Sequence, residues 1–212
     1  MTVAGHDPPT TGDGNGAVRP TRRHRTLADA PSLQALTHPT RLALMEAIGI
    51  AGPLTATQAS PLVGESPTAC AYHLRTLARL GFIEETGGGQ GRERPWRLAQ
   101  TGMSIDATGG DQAAAHAAGA LSRALIERFI QRVRDFELAR SSYDEAVQSV
   151  TGVIESVVFA TPDELRQLRA ELVGLVTRYN ERMDPALRPP GSLPFELVTF
   201  VHVFDHVTEE PG

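Results

Sequence analysis

The sequence has no lysine and a single cysteine, Cys70. One thiol rules out an intramolecular disulfide, and a thiolate metal centre needs at least a second ligand at close spacing. No run of eighteen apolar residues occurs and no hydrophobic signal core opens the chain, so a soluble, unexported, cytoplasmic protein without a membrane partner is expected. Catalytic signatures are missing as well. There is no GxSxG, no phosphate loop ending in Lys and Ser or Thr, no HExxH and no nucleophile beside a base. The expectation is a protein that is not an enzyme, with no catalytic residue, no metal and no cofactor. The lack of lysine itself reads as the coding bias of a GC-rich genome and leaves arginine to carry all the fixed positive charge.

That charge is unevenly placed. Residues 1–100 hold ten arginines against eight acids, whereas residues 101–212 hold ten against seventeen, within an overall net charge of −5. Any nucleic-acid contact must therefore come from local clustering in the first half. The densest information lies in that half, in Ser66 to Gly81, SPTACAYHLRTLARLG. Ser66 suits an N-cap, Pro67 the first helical position and Gly81 the left-handed residue that ends a helix. The spacing predicts a helix of about fourteen residues, roughly 20 Å long. Cys70, Leu74, Leu77 and Leu80 recur on one stripe and face a core. The opposite side shows Thr68, Ala71, Tyr72, Arg75 and Arg79. Small residues there permit close approach to a duplex, and hydroxyl and guanidinium groups can reach phosphates and base edges.

Around this helix the chain divides into segments. Residues 1–29 are poor in apolar residues and rich in Gly, Pro and Thr, which reads as a disordered basic arm. Its end carries Arg19, Arg22, Arg23 and Arg25, which read first as a solvated tail and otherwise as a reach toward a minor groove. Residues 32–49 read as two helices broken at His38 and Pro39, with Leu33 and Leu36, then Leu42, Met45 and Ile48, turned inward. Thr55 caps a short helix toward Val63 that Pro61 should shorten or kink. After Gly81 the period changes to that of strands, 82–86 and 94–99, joined by a glycine-rich tip that carries Arg92. Arg94 and Arg97 follow on the second strand. Three helices and a hairpin describe a winged helix-turn-helix.

LTHPTRLALMEAI, ACAYHLRTLARLGFIEE and GRERPWRLA together resemble the ArsR-type winged helix-turn-helix transcriptional regulators, over residues 30–100. The resemblance implies a homodimer that binds a double-stranded DNA operator and regulates transcription, here as a repressor, with helix 66–80 in the major groove and wing 86–94 on the flanking backbone. By motif position, Ser66, Thr68, Ala71, Tyr72, His73, Arg75 and Arg79 fall on or at the recognition helix and Arg92 and Arg94 on the wing; Arg41, on the second helix, adds a backbone contact or an ion pair. Ala71 stands where many relatives have serine. The metal sensing that the family name suggests finds no ligand set. Cys70 sits on the buried stripe, and His202 and His206 of HVFDH would be about 13 Å apart on a strand.

Residues 101–142 read as a linker and then a long helix whose stripe Leu121, Leu125, Phe129, Val133 and Phe136, widened by Ile126 and Ile130, exceeds what one small domain needs and points to a homodimer interface. Residues 143–212 read as a small α+β unit. It comprises a strand over 150–159, a helix from a capping box at Thr161 and Glu164, and a strand over 195–204 that is apolar on both faces and hence covered on both. Such a unit suits dimerisation or a small hydrophobic effector, and core packing explains the same residues. The fold class is mainly α with a small β content. The alternative function is a winged-helix protein–protein interaction module without operator specificity.

Overall fold

The computed structural model describes residues 24–87, 94–100, 102–106 and 111–203. Strand β1 (His24–Leu27) comes first, followed by helices α1 (Ala30–Leu36), α2 (Pro39–Ala51), α3 (Ala56–Val63) and α4 (Pro67–Arg79). Each helix starts where a side chain meets its free amides. The Asp29 carboxylate accepts from the Ser32 amide at 2.8 Å, His38 Nδ1 from Thr40 at 3.2 Å, Thr55 from Gln58 within a reciprocal capping box, and Ser66 Oγ from Ala69 at 3.2 Å. Gly64 and Gly81 follow the ends of α3 and α4 with φ of 71° and 73°, in the left-handed region that glycine enters without strain. Pro61 does not shorten α3, which runs two residues beyond it. The proline leaves its usual partner, the carbonyl of Thr57, without an intrahelical donor, and Thr57 is exposed where water can replace the bond.

A hairpin of β2 (Ile83–Glu85) and β3 (Trp96–Leu98) follows, antiparallel, with Glu84 opposite Arg97. Trp96 extends it inward through a bridge to Leu54. Residues 88–93, with Arg92 at the expected tip, lie outside the described residues, as do Arg19, Arg22, Arg23 and His206.

The first correction falls on the basic arm. From His24 onward it is a strand, paired in parallel with β4 (Gly102–Ile105), so that Leu27 lies opposite Ile105 and is fully buried. Arg25 donates to the Leu80 carbonyl at 2.8 Å and to Ser32 Oγ at 3.0 Å, with its guanidinium 4.7 Å from the centre of the Phe82 ring. It is a tie between β1 and the end of α4.

The core gathers Leu33 and Leu36 of α1, Leu44 and Ile48 of α2, Ala59 of α3, Cys70, Leu74 and Leu77 of α4, and Phe82, Ile83 and Trp96 of the hairpin. Helix α5 (Gln112–Ala139), capped by Asp111, completes it with Leu121 and with Ala114, Ala117 and Ala118, small residues that let α5 lie close against α1. Among the described residues nothing beyond Leu121 is buried. The rest of α5 leaves the core and is tethered to α2 by Arg128 and Arg132, both paired with Glu46.

Beyond α5 come a 3-10 turn (Arg140–Ser142), α6 (Glu145–Gln148), α7 (Pro162–Thr177) and two further 3-10 turns, Asn180–Met183 and Pro185–Leu187. Thr161 and Glu164 form the expected capping box, and the Thr161 amide holds the Glu164 carboxyl below its ordinary range. The expected strands are absent: 150–159 and 195–203 carry no strand, and no backbone hydrogen bond pairs 152–159 or 195–203 with another segment among the described residues. Alternating apolar residues favour a strand only where another strand takes up the backbone groups, and this chain supplies none there. The molecule is mostly helical, with an N-terminal helix-turn-helix followed by a hairpin and a long helix.

Candidate nucleic-acid interface

Helix α4 has two unlike sides. Cys70, Leu74 and Leu77 are fully buried, and burial raises the Cys70 thiol above its ordinary pKa, which keeps it protonated and unreactive. On the outer side Thr68, Tyr72, Arg75 and Arg79 are exposed and Ala71 is half-buried. Arg75 and Arg79 make no hydrogen bond or ion pair among the described residues. Ser66 uses one lone pair on the Ala69 amide and keeps its hydroxyl proton free to donate outward.

An open cleft of about 400 Å³ runs between this helix and the wing, lined by Ala71 and Arg75 on one wall, Glu85, Arg94 and Trp96 on the other, and Thr55 and Thr57 at the start of α3. Thr57, exposed on the first turn of α3, was not expected in this surface; the capping box at Thr55 and Gln58 was its only sequence signal. Arg94 is exposed but bonded to Glu85 at 2.7 Å, which raises its pKa, and Arg97 is bonded to Glu84 at 2.8 Å. The wing strands therefore carry paired charges, and a phosphate near Arg94 competes with Glu85.

Two of the expected site residues point the other way. His73 is buried, its ring centre 4.5 Å from that of His38, and its Nδ1 has no partner among the described residues. Burial foremost, with help from His38 and Arg41 and against Glu65, lowers its pKa below the ordinary histidine value. Arg41 is half-buried, donates to the Ala35 carbonyl at 3.0 Å and has no partner for its Nε among the described residues. With Thr40, which donates to Glu65 at 3.2 Å, these residues form a polar seam behind the first half of α4 that fixes its pose on α2. On α5, Leu121 belongs to its own chain's core, Phe129 packs on Phe200 at 5.4 Å and Phe136 on Tyr143 at 5.7 Å; Leu125 and Val133 are half-buried.

Among the described residues no three His, Cys, Asp or Glu side chains are grouped to hold a metal ion, and no helix is long and apolar enough to cross a membrane. No curated protein matches the chain. A family model described as a helix-turn-helix domain matches residues 36–86, from the end of α1 through α4 to the first strand of the wing. The chain thus carries a helix-turn-helix domain, the fold element of DNA-binding transcription regulators.

Proposed function

We propose that this protein is a homodimeric, sequence-specific regulator that binds double-stranded DNA and represses transcription, with residues 66–80 in the major groove and the wing, 86–94, on the flanking backbone. The observation that carries this reading is the division of α4. Its inner side is sealed into the core, while Thr68 and Tyr72 stand exposed outside and Arg75 and Arg79 do so without a hydrogen bond or ion pair among the described residues. Leaving two unpaired cations beside small and hydroxylated residues serves no packing purpose, and it matches what a groove edged by phosphates requires. Residues 30–100 bind DNA, 101–142 connect and dimerise, and 143–212 complete the dimer. Two copies would set their α4 helices about 34 Å apart, on a two-fold operator. The acidic second half turns away from the duplex and orients the basic half toward it.

The small hydrophobic effector expected between a C-terminal helix and sheet loses its support, since no sheet stands there among the described residues. Selection of bound fragments from sheared genomic DNA tests the function. Enrichment of one short, two-fold motif is expected. Uniform recovery would replace this reading by that of a protein-interaction module, which the exposed apolar residues of the C-terminal half would then serve.

A further inference from the structure

The hydrophobic residues of this chain are split by position. Among the described residues every buried one lies at or before Leu121, whereas twenty-one of the twenty-six large apolar side chains that are exposed lie beyond residue 137. Scattered exposed apolar residues are ordinary, but a contiguous concentration of them marks a covered surface. They concentrate in 150–159 and 195–203. Ile154 is 94% and Phe159 99% exposed, and among the described residues no backbone hydrogen bond joins 152–159 or 195–201 to another segment.

The two segments are anchored along the outer half of α5 and at Arg140, just past its end. Arg132 is paired with Glu196, Phe200 packs on Phe129, and Arg140 donates to the Thr151 carbonyl at 3.3 Å. They therefore stand beside the part of α5 that has left the core and the turn after it, with anchor points within about three helical turns of each other.

We propose that segments 150–159 and 195–203 are the dimer surface of this protein and that they become paired strands against the same segments of a second copy. This deepens the homodimer reading given above and rests on it. The occupant is a second copy for two reasons. The first is area: twelve large apolar side chains are exposed in the two segments, and at roughly 60–120 Å² apiece, scaled by their exposure, they offer about 700 Å². That is close to the ~800 Å² per partner of a stable interface, before α7 adds to it. The second is charge. The segments contain only Glu155 and Glu196 as acids and no arginine, and Glu196 is already paired with Arg132. A two-fold copy meets a single unpaired acid per chain there, Glu155, whereas a charged partner would find little to recognise. Strand pairing supplies the missing partners of the backbone, and side chains on both faces explain why these segments are apolar on both sides.

Sedimentation velocity on the full chain tests this, with Ile154→Glu and Val201→Glu on the segments and Ile130→Glu on the exposed side of α5. All three sites are exposed in the single chain, so the fold should survive, and fluorescence of buried Trp96 checks that it does. The wild type is expected to be a dimer, and each segment variant should raise its dissociation constant about 100-fold or more through the cost of an unpaired carboxylate in the interface. Either segment variant remaining as dimeric as the wild type overturns the inference. If only Ile130→Glu dissociates, the homodimer stands but its surface lies on α5. A wild type that is monomeric overturns both. The infrared amide I band should show more strand in the wild type than in Ile154→Glu, and equal strand content would refute the pairing.

Discussion

Arg75→Ala separates what α4 does for the fold from what it does for DNA. Arg75 is exposed and without a partner among the described residues, so its loss should change stability by no more than about 0.5 kcal/mol. Its neighbour Leu74 is fully buried, and Leu74→Ala should cost about 2–5 kcal/mol. For binding the order reverses. If Arg75 reads a base edge, its removal costs about 1–3 kcal/mol per site, roughly 5- to 150-fold, and relaxes the preference at one position of each half-site. If it holds a phosphate, the loss is even across sequences, and the slope of log affinity against log salt falls by about 0.9 for each copy bound. Fluorescence anisotropy with a labelled duplex between 50 and 200 mM salt, beside calorimetry of the free protein, measures all of these quantities. Unchanged affinity together with an unchanged salt slope would remove Arg75 from the interface. A fall in melting temperature as large as that of Leu74→Ala would show that its surface is not free.

The remaining expectations concern the seam, the wing and the first strand. Because burial lowers the His73 pKa in the folded state, its contribution to stability is present above the unfolded value of about 6.5 and is lost as pH falls through it. His73→Phe should flatten that loss between pH 7 and 5.5 in urea titrations and, by removing a buried nitrogen without a partner, should not destabilise the protein at pH 7.5. Glu85→Gln should free Arg94 for phosphate, raising affinity a few-fold at low salt with a steeper salt dependence in the same anisotropy assay; weaker binding would mean that the pair itself positions the wing. Arg25→Ala should cost about 1–3 kcal/mol in denaturant unfolding, since it loses its bonds to Leu80 and Ser32 and its place on Phe82; a cost near zero would return residues 24–27 to the status of a tail.

What could be read from the sequence was what neighbouring residues decide. Ser66, Pro67 and Gly81 delimit α4 by local geometry, and the spacing of Cys70, Leu74 and Leu77 fixes its inner side. His73 follows Cys70 by three residues and precedes Leu77 by four, so the same spacing placed it inward; counting only apolar residues concealed that. Pairings between distant segments were not legible. HRTL has neither the length nor the apolar alternation of a strand, and it is one because Gly102–Ile105 lies beside it. The neutralised wing depends on cross-strand register, which sets Glu84 against Arg97. In 195–204 the two-sided apolar pattern showed a need for cover, which local sequence cannot assign to one chain or two.

The central claim is that the outer side of α4 lies against a duplex. A photoreactive phenylalanine analogue at Tyr72, 58% exposed on that side, tests it most directly beside the same analogue at Leu138, 85% exposed on α5. With the fragment recovered by genomic selection, the account predicts a protein–DNA adduct from position 72, lost in competition with unlabelled fragment, and none from position 138. No adduct at 72, or adducts of equal yield at both positions, would contradict it.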